Sequence, residues 1–410
     1  MLFERAFELA PFWLPVGLGF IFWDMWVSYR RALFLSKQEY ALLEIKVPKD
    51  VFKSPLAMEL VLQGVYVTFG ESTWYDRYIL GKVRAWFSLE IVSIEGNIRF
   101  FIWTRKGFKQ SVESRIYSQY PTAEVYEVPD YTADVPYAKT GSGWVLWGSE
   151  FKLAKGDPYP IKTYVDYNLD KDPKEEYKID PITPMLEYMG SIGRNEQVWF
   201  QILVRANKGK KDPTSHWKTA WQDEGKKTIE DIMKQAKERS GPPPEDGEDY
   251  RFSNLTEGDR NAIKAIERNI SKIGFDCGMR AFYLAKEESF NGLNIPGLLG
   301  SLRQYGSNDL NSIIPQRVTQ SDFPWQNYVG LRSDVKPFSF RGALVEELKW
   351  KLFDAYRHRS WYFPPYERKP FVLNIEELAT IFHFPGRVAE TPTFKRIESK
   401  KAEPPPNLPL

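Results

Sequence analysis

The chain has 410 residues, and its 56 Lys+Arg against 54 Asp+Glu leave a formal charge of only +2. That length exceeds one ordinary core and calls for two or three domains, while the near balance of charge excludes a global field able to hold nucleic acid by electrostatics alone. The lone Cys277 excludes an internal disulfide framework, and His216, His358 and His383, scattered singly, provide no zinc-ligand spacing.

From Leu9 to Val27 the run LAPFWLPVGLGFIFWDMWV is almost unbroken apolar, close to the roughly 20 residues that cross a hydrocarbon core. Trp13 lies near one end and Trp23, Trp26 and Tyr29 near the other, where amphipathic rings favour headgroup zones. Arg30, Arg31 and Lys37 follow directly, so the positive-inside rule places the amino terminus outside and the bulk in the cytoplasm. Asp24 opposes this reading at a cost of about 2.5 to 3.5 kcal/mol at a helix centre. Residues 1–38 are therefore expected to form a transmembrane anchor, with an interfacial or core helix as the alternatives.

Next, Tyr40 to Val47 alternates apolar and charged residues, the period of a half-buried strand. Ser54 and Pro55 open a helix, and the runs 83–93 and 97–104 flank Ile94-Glu95-Gly96 as a hairpin. A helix from Phe108 to Ser118 and a strand from Ala123 to Val128 complete the order β-α-β-β-α-β, a ferredoxin-like module spanning residues 39–135. Trp86, Phe101 and Trp103 could supply aromatics to its sheet face, read as core or domain-interface packing rather than nucleic-acid stacking, since NIRFFIWT lacks the basic-glycine-aromatic run of an RNA-binding strand.

Residues 136–373 read as a second, larger α+β module. Strands are expected at 144–153, 161–167, 197–204 and 275–285, with helices at 184–192, 217–239, 256–271, 295–304 and 342–357. An acidic, proline-rich insertion at 240–249 reads as an exposed mobile loop. A short helix at 374–382 then leads into a basic, proline-rich tail ending at residue 410, whose Lys395, Arg396, Lys400, Lys401, Pro404, Pro405 and Pro406 are the candidate partner-docking residues. The fold class is thus α+β, with an amino-terminal transmembrane helix, a ferredoxin-like module and a larger module.

The search for chemistry returns no catalytic constellation. A phosphate-binding loop needs Gly-Lys followed by Ser or Thr, whereas Gly81-Lys82 leads to Val83, Gly209-Lys210 to Lys211 and Gly225-Lys226 to Lys227. Neither a G-x-S-x-G elbow nor an H-E-x-x-H helix occurs. The pairs Glu346/Glu347 and Glu376/Glu377 read as solvated helix surface, since adjacent helical residues do not face one atom. His358 and His383 read as surface or aromatic-packed residues. No cofactor or metal is expected, nor enzymatic activity. Lys208, Lys210, Lys211, Lys218, Lys226 and Lys227 form the strongest basic patch, open to two readings: a solvated face, or contact with DNA phosphates or anionic headgroups.

Several stretches together carry a resemblance: KQEYALLEIKVPKDVFKSPLAMELVL, then ESTWYDRYILGKVRAWFSLEIVSIEGNIRFFIWTR, and finally IEELATIFHFPG with TPTFKRIESKKAEPPPNLP. The chain resembles the amino-terminal, non-ATPase region of bacterial type IV secretion and conjugative-transfer proteins of the HerA/FtsK ATPase class. In fused relatives a similar helix and proline-rich linker lead into the P-loop ATPase. The resemblance implies a subunit anchored in the bacterial cytoplasmic membrane that docks or tethers such an ATPase, the chain resembling either a split version whose motor is a separate polypeptide or a truncated one. Its partners would be that ATPase and the lipid bilayer, with DNA and a homo-oligomer left open. A membrane-tethered envelope or pilus scaffold without DNA or a motor is the alternative.

Overall fold

All strand pairings among the described residues are antiparallel, and they build one nine-stranded sheet. The computed structural model describes residues 10–48, 53–137, 142–170, 180–208, 221–239, 255–319 and 341–385, with side chains from residue 14 onward and none for 341–345. The strands are β1 (Tyr40–Lys46), β2 (Phe87–Ile94), β3 (Asn97–Arg105), β4 (Glu124–Val128), β5 (Trp144–Leu153), β6 (Glu196–Ala206), β7 (Gly274–Lys286), β8 (Ile313–Val318) and β9 (Phe371–Asn374). Their lateral order is β4-β1-β3-β2-β6-β7-β5-β8, and β9 pairs with the start of β7.

The first four strands follow the ferredoxin-like order expected from the sequence. The next four repeat it: counted within their own half, β8-β5-β7-β6 is again fourth-first-third-second. The halves meet through β2 and β6, so the sheet repeats itself about a local two-fold between those strands. Register supports this, because Glu44, Glu90, Phe101 and Tyr126 occupy one transverse row with Glu150, Gln201, Arg280 and Arg317 at the corresponding positions of the other half.

Strand alternation divides the apolar residues between two faces. Leu43, Leu89, Phe100, Phe200 and Met279 point to one face. That layer holds the helices α2 (Leu56–Gly64), α4 (Lys109–Gln119), α5 (Thr183–Ser191) and α8 (Asn294–Gly300). Phe101, Trp103, Trp199 and Phe282 point to the other face, under α9 (Arg341–Arg357) and the residues Trp361, Tyr362 and Phe363. The sheet face that a ferredoxin-like module commonly offers is therefore internal here, and Trp86, Phe101 and Trp103 are core residues. Burial on both sides explains why QVWFQILV reads as a near-continuous apolar run. Gly278 on β7 is required by this cover: a Cβ there would lie 2.1 Å from the Trp361 ring.

The two halves differ most at the connection between their second and third strands. Between β2 and β3 the chain turns through Glu95 and Gly96 at φ 52° and 81°, the left-handed pair of a tight hairpin that glycine accommodates. Between β6 and β7 stands an insertion carrying the paired helices α6 (Trp221–Arg239) and α7 (Glu257–Ser271). Thr256 caps α7 in a reciprocal box with Asp259, and Ile232, Ala262 and Ile266 form a small core of their own. The segment 240–249 lies outside the described residues.

Three expectations are corrected. Residues 9–27 do not form a transmembrane span: no helix of the described residues is long and apolar enough to cross a membrane. Instead a single helix, α1 (Ala10–Ser36), runs through Asp24 and past Arg30 and Arg31, and its second half packs on the body. Trp26 Nε1 donates to Tyr78 O at 3.1 Å, Arg30 Nε to Ile79 O at 2.5 Å, and Phe34 and Leu35 join the core. The single-pass placement with the amino terminus outside and the bulk in the bacterial cytoplasm loses its basis with the span. Residues 161–163 are irregular and 164–167 are turn, with no strand, because side chains take the place of a ladder: Glu377 accepts from Ile161 N and Thr380 Oγ1 from Tyr164 N.

Candidate functional site

Among the described residues no group of three or more His, Cys, Asp or Glu is placed to hold a metal ion. The strongest polar clusters instead join parts of the chain, and two of them define what the molecule can position.

The first closes the seam between the two halves. α9 ends in a Schellman motif, with Arg359 N donating to Tyr356 O at 3.0 Å and Ser360 N to Ala355 O at 2.9 Å. Arg359 occupies the left-handed position at φ 47°, where glycine is usual. Its side chain supplies the reason. Nε and Nη2 donate to the Glu90 carboxylate at 3.0 and 3.1 Å, and Nη1 donates to Asp130. Glu90, on the first half, also accepts from Ser88, Tyr131 and the Gln201 amide of the second half, at 2.6, 2.8 and 2.9 Å. Burial alone would lower the Arg359 pKa, but Glu90, Tyr131 and Asp130 together outweigh it and hold the guanidinium well above its ordinary value. With Arg359 1% and Glu90 0% exposed, this ion pair joins the halves out of contact with solvent.

The second cluster fixes the root of the tail. Asn374 caps α10 (Ile375–Ile381) in a box with Glu377, and all seven residues of α10 are buried. Glu376 is 1% exposed, 3.2 Å from Arg268 Nη2 and 2.8 Å from Lys272 Nζ, both at the end of α7. Lys272 also pairs with Glu59 of α2 at 2.9 Å. Burial would depress Lys272, yet its hydrogen bonds to Glu376 and Glu59 raise its pKa above the ordinary value. Below α10, His383 Nε2 meets Asp180 at 2.9 Å, and Phe382 and Phe384 pack edge-on against Phe100. Glu376 and Glu377 are thus core residues and not solvated helix surface, the reverse of what their spacing implies.

Burial pushes the Glu377 carboxyl up to about 8, outweighing the two backbone N–H groups that donate to it from Asn374 and Ile161. A folded pKa raised above the ordinary carboxylate value contributes stability that is complete below about 4.5 and is lost as pH rises through about 8. Unfolding free energy should therefore fall between those limits more steeply in the wild type than in Glu377→Gln, as read from urea midpoints across that range.

The remaining sequence candidates fall in separate places. Trp23 stacks on Trp74 at 6.4 Å and meets Tyr78 at 5.4 Å, Tyr29 is exposed, and Arg31 lies over Phe363 at 5.5 Å. Nothing is described of the Trp13 side chain. Lys208, Lys226 and Lys227 are exposed at the root of the insertion, whereas Lys210, Lys211 and Lys218 lie outside the described residues. So do Lys395, Arg396, Lys400, Lys401, Pro404, Pro405 and Pro406. Sequence reasoning missed Glu90 and Arg359 and misread Glu376; each has its partners far along the chain, where no local signal marks them.

No curated protein matches the chain. Its family is nevertheless shown, because one family model covers residues 35–396, from the end of α1 through the first part of the tail. The chain belongs to the family described as "Domain of unknown function (DUF8128)".

Proposed function

We propose that this chain is a non-catalytic docking subunit that presents its basic, proline-rich tail to a P-loop ATPase of the secretion and DNA-transfer class. The observation that carries the reading is the anchoring of α10: all its residues are buried, and two cations grip Glu376 where the chain heads for the tail. A segment held this firmly gives whatever follows a fixed origin on a rigid sheet. The resemblance of the same segment to the approach to a P-loop ATPase supplies the class of partner. Locks at the two-fold seam and at the tail root suit a platform that holds shape under load.

The test compares the affinity-tagged full chain with one ending at Gly386, which retains α10. Mass spectrometry of the captured proteins should find a P-loop ATPase with the full chain and lose it on truncation. Recovery of envelope proteins alone, or equal recovery of the ATPase by both chains, would remove the tail from the reading.

A further inference from the structure

The first half of α1 stands clear of the body, and its later turns are held. Val27 is buried, Arg30 donates to Ile79 O, Phe34 joins the core and Trp23 stacks on Trp74. At about 100° per residue these four side chains share one face of the helix. The face about 150° round from it carries Leu14, Leu18, Phe22, Met25 and Tyr29, all between 46% and 66% exposed. Spacings of four, four, three and four residues keep the five within roughly 80° of arc, the kind of stripe by which one helix lies along another. Asp24, the one charged residue between Ala10 and Tyr29, is exposed and lies about 120° from the middle of that stripe.

An uncovered apolar stripe of this length marks a contact surface, and its chemistry favours a second copy of the chain as the occupant. A two-fold interface sets one patch against itself, so two such stripes meet with matched period and matched apolar character. With Ile21 at its edge, the stripe offers on the order of 1,000 Å² over a pair, the size that a specific interface needs. Beside such a pair Asp24 keeps its place in water, whereas enclosing the helix in lipid would bury it at a cost of about 2.5 to 3.5 kcal/mol. The docked later turns already hold the helix in shape, so pairing does not have to nucleate it. We propose that α1 is a pairing helix that joins two copies of this chain stripe to stripe, with Phe22 at the middle of the contact. The inference does not depend on the docking reading above.

Sedimentation velocity of the full chain at micromolar concentration should give twice the 47.8 kDa of one chain. Phe22→Glu combined with Met25→Glu should sediment as a monomer with an unchanged urea midpoint, because both side chains are exposed and outside the core. Phe20→Glu should stay dimeric: Phe20 is 73% exposed but lies about 160° round from the middle of the stripe. On mild oxidation Phe22→Cys should give a disulfide-linked dimer and Phe20→Cys should not, since the native thiol, Cys277, is buried. A monomeric wild type, a dimer that survives the double glutamate change, or pairing lost equally in Phe20→Glu overturns the proposal. A monomeric wild type that floats with phosphatidylglycerol vesicles, weakened alike by Phe22→Glu and Phe20→Glu, overturns it in favour of a lipid surface.

Discussion

Substituting methionine for Arg359 should lower the free energy of unfolding by about 3 to 5 kcal/mol, the usual effect of leaving a buried charge without its partner. Glu90 is 0% exposed and would keep its neutral donors Ser88, Tyr131 and Gln201 but lose both guanidinium bonds. Its charge would then be uncompensated at the joint between the halves. The expected reading is a lower denaturant midpoint with an unchanged m-value. Arg359→Gly separates the backbone from the charge, since glycine relieves the left-handed position by only about 1 kcal/mol and should remain far less stable than the wild type. Adding Glu90→Gln to Arg359→Met should recover much of the loss, because a neutral amide no longer demands a counter-charge. A single Arg359→Met variant as stable as the wild type would show that the seam is held by packing of Leu352, Phe353 and Tyr356 alone.

What the sequence made legible follows from how far each signal reaches along the chain. The alternation in Tyr40–Lys46, the Glu95-Gly96 turn and the Thr256 cap are local, and each stands where its pattern placed it. The expected βαββαβ order appears in the first half because its hairpin is tight and its helices short. The second half hides the same order because the α6–α7 insertion separates the two strands that in the first half are joined by the Glu95-Gly96 turn. Apolar length misled at α1, where Asp24 and the arginines that follow lie within one helix whose later turns have a body to pack on. Glu376 and Glu377 misled for the opposite reason: adjacent acids at a helix start read as solvated, whereas the cations paired with Glu376 sit more than a hundred residues earlier at Arg268 and Lys272, and Glu377 accepts from the backbone of Ile161, farther back still. The root of the tail shares that property, being assembled from α2, α7 and α10.

Replacing Arg268 and Lys272 together by methionine should release the root of the tail. Either change alone leaves Glu376 one cation, whereas the pair leaves only the Thr163 hydroxyl facing its carboxylate. The cost should again approach about 3 kcal/mol, toward the lower end for a broken buried pair because both cations are partly solvated. Unlike the loss of Arg359, this one should be local. Amide hydrogen exchange across residues 375–381 should accelerate by at least tenfold while β6 and β7 stay protected, since the pairs removed join the end of α7 to α10, to Glu59 of α2 and to Asp166 and none lies in the sheet. Adding Glu376→Leu should restore protection by letting an apolar side chain fill the buried position. On the docking reading, the double variant should also lose ATPase capture although every residue of the tail is intact, and the triple variant should regain it. Faster exchange with undiminished capture would mean that the tail binds as a free segment and that its rigid origin has no part in docking.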